Sequence, residues 1–133
     1  MKKSGIINAQ LAKCIAGLGH NELFMISDAG MPIPKGVELI DLALCGGVPT
    51  FEQVLDAVLE ETVVEYYYLA EEILEKNERL HQYIRTTLAQ VPSEYIPHLT
   101  LKENTKTIKF AIRTGEFTPY PNIILRAGVS FPV

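Results

Sequence analysis

Hydrophobic residues along the chain follow two spacings, one typical of helices and one typical of buried strands. Apolar residues recur at helical spacing after Asn8, a good N-cap. Gly19 favours a left-handed C-terminal stop, which predicts that this first helix ends immediately before His20. Residues 23–26 are continuously apolar and predict a short buried strand. That strand leads into residues 27–34, which are rich in Gly, Pro and small side chains and therefore predict a loop.

The rest of the chain continues this alternation of strands and helices. Thr50 and Gln53 form a Thr-x-x-Gln capping box, which predicts a second helix running to about residue 60. The other predicted elements are strands at residues 37–44, 62–68, 94–96, 107–113 and 122–129, and helices at residues 70–76, 80–88 and 99–104. This order predicts an α/β fold, with one layered domain over residues 1–133 and a largely parallel central sheet flanked by helices. Ligands of such sheets bind beyond the carboxyl ends of strands, so the loops after residue 26 and before residue 122 are candidate sites.

Composition narrows the classes of partner. The 133 residues carry 12 Lys and Arg against 16 Asp and Glu, a net charge of −4. This acidic balance, without any basic block, argues against nucleic-acid binding. No stretch is long and apolar enough to predict a membrane span, and polar residues interrupt the first apolar stretch, which argues against export. We therefore expect a cytoplasmic protein.

The two cysteines and the absence of standard motifs narrow the chemistry. Cys14 and Cys45 lie far apart and form no Cys-x-x-Cys pair, so we expect small buried thiols in a reducing compartment rather than a disulfide or a metal site. Nucleotide-binding and metalloprotease motifs are missing. The sequence therefore gives no support to nucleotide or metalloprotease chemistry.

His20 and Asp28 are the first candidates for acid/base chemistry and for ligand binding. His20 follows the predicted end of the first helix, where helix-end carbonyls favour an imidazolium that could act as a general acid. The same position also suits a histidine that only satisfies those carbonyls. Asp28 begins the loop after the first strand, where it could bind sugar hydroxyls or simply cap its own turn.

Two more histidines and one lysine lie in the second half of the chain. His98 and Lys102 are four residues apart, so on a helix they would share one face and direct two donors toward a common point. Solvated surface residues would have the same spacing. His81 falls on the charged side of its predicted helix, and we expect it to be solvated and without a role.

Aromatic and polar residues in the last third supply the remaining candidates. Tyr120 and Asn122 flank Pro121, so a rigid extended segment could present a phenol and a carboxamide together to sugar hydroxyls. Alternatively, Tyr120 covers the core and Asn122 caps a strand. Arg113 and Glu116 flank a predicted turn in which they could pair. Residues 66–68 are three tyrosines, most simply core and subunit interface.

Three sequence blocks together resemble the D-ribose pyranase family. They are Gly-His-Asn-Glu-Leu at residues 19–23, Ser-Asp-Ala-Gly-Met-Pro-Ile-Pro at residues 27–34, and Arg-Thr-Gly-Glu-Phe-Thr-Pro-Tyr-Pro-Asn at residues 113–122. The resemblance covers essentially the whole chain, in the family's order and length. Within the wider ribose pyranase and fucose mutarotase superfamily, the second block is similar to the ribose branch. One departure is Pro121, where the family more often has alanine.

The resemblance implies a function and a role for each candidate residue. It implies cofactor-free interconversion of the β-pyranose and β-furanose forms of D-ribose, supplying the furanose that ribokinase phosphorylates. His20 would be the proton donor. The residues implied to bind substrate are Asp28, His98, Tyr120, Pro121 and Asn122, with Lys102 as a less certain companion. The family also implies a homodecamer of two pentameric rings with sites near subunit boundaries.

Three alternative functions remain open at this point. A mutarotase for fucose or another sugar would use the same acid/base groups. A non-catalytic sugar-binding accessory to a ribose transporter would use the same polar loops without accelerating exchange. An oligomeric scaffold without a small ligand would account for the hydrophobic content and the tyrosine-rich strand, and would show no saturable sugar binding.

Overall fold

The computed structural model describes all residues from Met1 to Val133. Five α-helices, six strands and one 3₁₀ turn alternate along the chain. In chain order they are α1 (Ala9–Ala16), β1 (Leu23–Ser27), β2 (Glu38–Asp41), α2 (Phe51–Glu61), β3 (Val64–Ala70), α3 (Ile73–Lys76), α4 (Glu78–Thr87), β4 (Ser93–Ile96), α5 (His98–Asn104), the 3₁₀ turn (Thr105–Thr107), β5 (Phe110–Arg113) and β6 (Ile123–Ala127). None of the helices is long and apolar enough to cross a membrane.

The six strands form one sheet in the order β2-β5-β1-β6-β3-β4. Five strands run in the same direction, and β6 alone is antiparallel to its neighbours β1 and β3. The predicted α/β fold with a largely parallel sheet is therefore confirmed. Because β6 is reversed, its first residue, Ile123, pairs with Ile26 and Leu69 near the ends of β1 and β3. The loop before β6 thus lies beside the loop after β1.

Two hydrophobic clusters lie on opposite faces of the sheet. The larger packs α1, α2 and α4 against one face and contains 21 buried residues, among them the stacked rings of Phe24 and Phe110. The smaller contains 7 buried residues and packs α5 through Leu101 against the other face. The strands alternate between the clusters, since side chains of successive strand residues point to opposite faces. The second face is only partly covered by helix.

Local signals account for where the helices begin. Asn8 accepts the hydrogen bond of Leu11 N at the start of α1, and the capping box of Thr50 and Gln53 begins α2. Both helices begin where the sequence predicts. The end of α1 differs from the prediction, because the helix stops at Ala16 with Gly17 as its C-cap. The left-handed residue of this connection is Asn21 rather than Gly19.

Several other predicted boundaries were wrong by a few residues. The predicted strand at 37–44 is only four residues long as β2, because the chain turns after Asp41 and forms an isolated bridge between Cys45 and Val48. β3 extends to Ala70, so the helix expected at 70–76 is reduced to the single turn of α3. The tyrosines of β3 alternate, with Tyr67 buried in the core while Tyr66 and Tyr68 contact each other on the other face.

Candidate active site

Polar candidate residues gather at the edge of the sheet where the parallel strands end. Asp28 follows β1, the 114–122 segment follows β5, and His98 follows β4 after a single residue. Asn122 immediately precedes the reversed strand β6 and therefore reaches the same edge. We call this the carboxyl edge. The two loops that the sequence indicates as candidate sites, after residue 26 and before residue 122, therefore lie side by side.

Asp28 and Asn122 bind each other reciprocally at the carboxyl edge. The Asp28 backbone N–H donates to Asn122 Oδ1 at 2.9 Å, and Asn122 Nδ2 donates to Asp28 Oδ2 at 3.0 Å. Asp28 Oδ1 also accepts the hydrogen bond of Gly30 N at 2.9 Å, so Asp28 does cap its own turn. Each carboxylate oxygen keeps a free lone pair, because an ionised carboxylate accepts about four hydrogen bonds. Asn122 is only 1% exposed, so its carboxamide orients Asp28 rather than facing solvent.

Two open clefts meet at Asp28. One has a volume of about 190 Å³ and is lined by Asp28, Gly30, Met31, Pro32, His98 and Lys102. The other, of about 330 Å³, lies toward Glu116, Phe117 and Pro119. His98 and Lys102, four residues apart, therefore line one cleft together with Asp28. The arrangement offers a carboxylate, an imidazole and an ammonium within one polar cleft.

The surroundings of His98 favour the neutral form of its imidazole ring. Its pKa is lowered by burial and then by the positive charge of Lys102, against the opposing effect of Glu72 and Asp28. Nδ1 is buried without a partner, and no hydrogen bond within the chain engages Nε2. The ring meets Tyr120 edge-on, with centroids 5.0 Å apart. His98 is thus held as a neutral ring whose Nε2 can donate to or accept from a hydroxyl.

Tyr120 and Pro121 occupy a tightly held loop. Tyr120 has φ of 66°, the left-handed region that a bulky side chain seldom adopts. Its carbonyl accepts the hydrogen bond of Asn122 N at 2.8 Å. Pro121 is buried, and its ring fixes the backbone between the two polar residues. Tyr120 packs against the larger core cluster as well as His98, so it covers the core, as the second of the two interpretations expects.

His20 lies at the other edge of the sheet. It precedes β1, and its neighbour Asn21 donates through its backbone to Ala127 O at the end of β6. β1 has five residues, which at about 3.3 Å each span about 16 Å between the two edges. His20 therefore does not meet Asp28, His98 or Tyr120 within one chain. We call its position the amino edge.

The surroundings of His20 differ from those expected. Since α1 ends at Ala16, the imidazole does not sit at the helix terminus. Instead, His20 Nε2 lies 3.0 Å from Glu65 Oε2, in a hydrogen bond that the carboxylate can only accept. Glu65 Oε1 accepts a further hydrogen bond from Arg126 Nε at 3.1 Å. This pairing fixes one ring nitrogen and leaves Nδ1 on the exposed side chain for proton transfer.

Three residues near the two edges, Glu65, Glu72 and Asn77, were not singled out by sequence reasoning. Glu116 was considered only as a partner for Arg113, and the structure corrects this. Arg113 pairs with Asp41, whereas Glu116 is buried and accepts hydrogen bonds from Phe51 N at the start of α2 and from the Thr118 hydroxyl. The sequence does show that these polar residues lie inside a strand or next to the start of a helix. Their partners, however, are distant in sequence, so local patterns could not identify the contacts.

Two further expectations need correction. Cys14 is buried as expected, and burial raises the pKa of its thiol to about 11, but Cys45 is exposed in its turn. His81 is not simply solvated, because its Nε2 lies 2.6 Å from the Tyr95 hydroxyl and burial lowers its pKa. No group of three or more His, Cys, Asp and Glu side chains is placed to hold a metal ion.

Comparison with known proteins identifies the family. The model of the RbsD / FucU transport protein family matches residues 1–130. The chain belongs to this family. Two relatives that resemble it over nearly their whole length are D-ribose pyranases, from Geobacillus kaustophilus (strain HTA426) and Limosilactobacillus fermentum (strain NBRC 3956 / LMG 18251). The first is 50% identical over 98% of this chain and 96% of the relative, and the second 47% over 98% and 100%. The resemblance to the D-ribose pyranase family is thereby confirmed.

Two solved structures agree with the fold. The structure of Bacillus subtilis RbsD complexed with D-ribose matches with a TM-score of 0.95 and 45% identity, covering 98% of this chain and all of the other. A fucose mutarotase in complex with L-fucose from Streptococcus pneumoniae matches with a TM-score of 0.78 over 94% of this chain and 95% of that chain, at 21% identity. At that identity the second likeness concerns the fold alone.

Proposed function

We propose that this chain is a D-ribose pyranase, a cofactor-free isomerase that interconverts the β-pyranose and β-furanose forms of D-ribose. The observation that carries the proposal is the 50% identity, over 98% of the chain, to a protein named D-ribose pyranase. The 0.95 TM-score to a relative complexed with D-ribose supports it. The polar cleft at Asp28, His98 and Lys102 supplies donors and acceptors suited to sugar hydroxyls.

Ring opening and ring closure each need two proton transfers. Opening the pyranose ring requires a proton on the ring oxygen as the bond from C1 to that oxygen breaks, while the anomeric hydroxyl gives its proton to a second group or to water and becomes the aldehyde oxygen. Rotation then allows the C4 hydroxyl, rather than the C5 hydroxyl, to attack the aldehyde; the C4 hydroxyl loses its proton and the aldehyde oxygen takes one up, which closes the furanose ring. A positioned general acid contributes about 10²- to 10⁴-fold to such a step. His20 is the proton donor in this proposal, and Glu65 orients its ring.

The carboxyl edge would bind the sugar. Asp28 accepts hydrogen bonds from hydroxyls, His98 contributes Nε2, and Lys102 donates from the far side of the cleft. Tyr120 and Pro121 form the rigid wall beside His98. Asn122 acts by orienting Asp28, since its own carboxamide is engaged. These roles are our proposal for each residue.

A complete site would require two copies of the chain. The two edges are about 16 Å apart across β1, so one sugar cannot contact His20 and Asp28 of the same molecule. Exposed apolar side chains adjoin the carboxyl edge, among them Phe117 at 78% exposure and Leu44 at 79%. Such residues favour contact with another protein surface. We therefore propose that His20 of a neighbouring copy faces the cleft at Asp28.

The assembly and the location follow from the same proposal. We propose a homodecamer of two pentameric rings, as the family resemblance implies, in which the whole chain acts as one domain. A closed ring places the amino edge of each copy against the carboxyl edge of the next, and so completes every site. We also propose a cytoplasmic location, which suits two unpaired cysteines, one of them exposed.

Saturation-transfer NMR on D-ribose tests the activity. Saturating the pyranose anomeric proton and following the furanose signal measures ring exchange directly, at several protein concentrations and without protein. We expect the exchange rate to rise in proportion to the protein. Exchange at the spontaneous rate, with saturable ribose binding, would instead support a transport accessory. A parallel measurement on L-fucose separates the ribose and fucose activities.

Complementation between variants tests the shared site. His20→Ala and Asp28→Asn should each be inactive alone, but unfolding and reassembling them together should restore about a quarter of the sites. Each restored site combines the intact His20 of one copy with the intact Asp28 of another. A mixture that stays as inactive as its components contradicts a site shared between copies. Sedimentation of the wild-type protein measures the size of the assembly in a separate experiment.

A further inference from the structure

A short segment between β3 and α4 binds the backbone at His98 and the loop that precedes Tyr120. This segment, residues 72–77, contains the single turn of α3 and ends at the N-cap of α4. Its two terminal residues, Glu72 and Asn77, direct their side chains to different loops of the carboxyl edge. We call residues 72–77 the brace.

Glu72 holds the start of α5. The backbone N–H of His98 donates to both carboxylate oxygens of Glu72, at 3.0 and 3.2 Å. α5 needs this acceptor because its own N-cap is Pro97, which makes no capping hydrogen bond. Glu72 thereby replaces a local cap with a contact from 26 residues away, and fixes where His98 enters the cleft.

Asn77 holds the loop that carries Tyr120. Its Nδ2 donates to Thr118 Oγ1 at 2.8 Å and to Pro119 O at 2.9 Å, which uses both amide hydrogens. Its Oδ1 accepts from Leu80 N and so caps α4. Asn77 is buried at 9% exposure. The contact to Pro119 O lies immediately before Tyr120, whose left-handed φ costs energy unless surrounding contacts impose it.

We propose that Glu72 and Asn77 are positioning residues that set the contact between His98 and Tyr120, and with it the position of His98 in the sugar cleft. The two rings meet edge-on with centroids 5.0 Å apart, and the brace binds the backbone at His98 through Glu72 and the backbone next to Tyr120 through Asn77. Neither positioning residue lines the cleft that contains His98. The proposal rests on the proposed function for its kinetic consequence, but not for the contact itself.

Kinetics of the assembled protein provide the first test. Glu72→Ala and Asn77→Asp should each raise the KM for ribose about 5- to 30-fold, with kcat within about threefold of wild type, because binding groups move while His20 does not. Glu72→Gln retains an acceptor for the His98 N–H and should recover most of the KM. Asp at position 77 retains the α4 cap but loses both donations.

Matched controls separate positioning from general damage. Glu75→Ala removes an exposed carboxylate from the same segment, and Asn8→Asp makes the Asn77 change at the N-cap of α1, a residue that does not line the cleft. Both should leave KM unchanged. Thermal melting checks folding, and Asn77→Ser supplies a second variant with a capping oxygen if the aspartate prevents folding. A KM rise of equal size in the controls would overturn the proposal.

Sugar-free NMR provides a readout that does not depend on activity. Ring-proton shifts of Tyr120 and His98 report their mutual contact, with the Tyr120 signals assigned by their loss in Tyr120→Phe. We expect these shifts to move in Glu72→Ala and Asn77→Asp and to stay in place in Glu75→Ala. Unchanged shifts in both brace variants overturn the proposal. If the wild-type protein fails to accelerate ribose ring exchange, the proposed function fails. The NMR comparison still decides, in that case, whether the brace sets the contact between His98 and Tyr120.

Discussion

The two edges of the sheet hold their polar residues in opposite ways. At the carboxyl edge, Asp28 and Asn122 bind each other twice, and Glu72 and Asn77 bind the backbone at His98 and next to Tyr120. At the amino edge, His20 is an exposed side chain with a single carboxylate partner. The residues proposed to bind sugar are thus fixed by their own chain, whereas the proposed proton donor is open to a second surface.

The difference between the edges suits two chemical tasks in one chain of 133 residues: recognition of sugar hydroxyls and donation of a proton. Recognition of hydroxyls needs several groups at fixed separations, which buried hydrogen bonds provide. Proton donation needs one titratable group that can approach the sugar from outside. Variants that change one edge at a time can separate the two tasks.

The largest expected effect is at the amino edge. His20→Ala should lower kcat for ribose ring exchange by about 10²- to 10⁴-fold while ribose still binds, since a general acid is lost and the cleft is untouched. Saturation-transfer NMR measures the rate, and a ribose titration measures binding. His81→Ala, which removes a histidine of α4, is the matched control and should retain wild-type exchange. Equal rates in both variants would remove His20 from the mechanism.

The carboxyl edge should tolerate much less crowding. A Cβ on Gly115 would lie 2.4 Å from Val48 O, and that neighbour is backbone, so Gly115→Ala should cost about 2 to 3 kcal/mol of unfolding free energy. At the amino edge, a Cβ on Gly19 would come no closer than 3.5 Å to the Glu22 side chain. Gly19→Ala should stay within about 0.5 kcal/mol. Denaturant unfolding at one fixed protein concentration measures both, and similar losses would mean that the two edges are equally tight.

Orientation of Asp28 is the next effect in size. Asn122→Ala leaves the Asp28 backbone N–H without its acceptor and removes a donor from its carboxylate, so we expect the KM for ribose to rise about tenfold. Steady-state exchange rates over a range of ribose concentrations measure it. Asn104→Ala, at the end of α5, serves as the control. If kcat fell and KM held, Asn122 would act on the reaction rather than on binding.

The smallest effect concerns the charge of His98. Lys102 lowers the pKa of His98, so Lys102→Gln should raise that pKa, and the ring should protonate at higher pH. Burial keeps the pKa of His98 in the folded protein below the ordinary value of 6.5, so the unfolded state binds more protons. The free energy of unfolding therefore rises as the pH rises through the range between the folded and the unfolded pKa of His98. Titration of the His98 ring signals by NMR checks the direction. Lys106→Gln, in the 3₁₀ turn, should leave the pKa unchanged.

Much of the fold was predictable because its signals are local. Asn8 and the Thr50–Gln53 capping box predicted where α1 and α2 begin, and the alternation of elements predicted the α/β sheet. Boundaries failed where tertiary contacts override local preference, as at β3, where pairing with β4 and β6 extends the strand to Ala70. Strand order was not accessible, because pairing partners lie far apart in sequence.

The candidate site was predictable only in part. Asp28, His98 and Lys102 could be found from loop position and helical spacing, and the structure brings them to one cleft. Their roles came from the family resemblance. Glu65 and Asn77 could not be found, because their partners are 45 and 41 residues distant. The separation of His20 from the cleft likewise depends on strand direction, which local patterns do not encode.

The central position of β6 has a consequence for biosynthesis. Its neighbours in the sheet are β1 and β3, and it is the latest of the six strands along the chain. A nascent chain that lacks β6 can pair β2, β5 and β1 into one partial sheet and β3 with β4 into another, but nothing joins the two. Long-range pairing of this kind slows folding. The strand that joins the two partial sheets, β6, and the 114–122 segment before it are therefore synthesised after all the other strands.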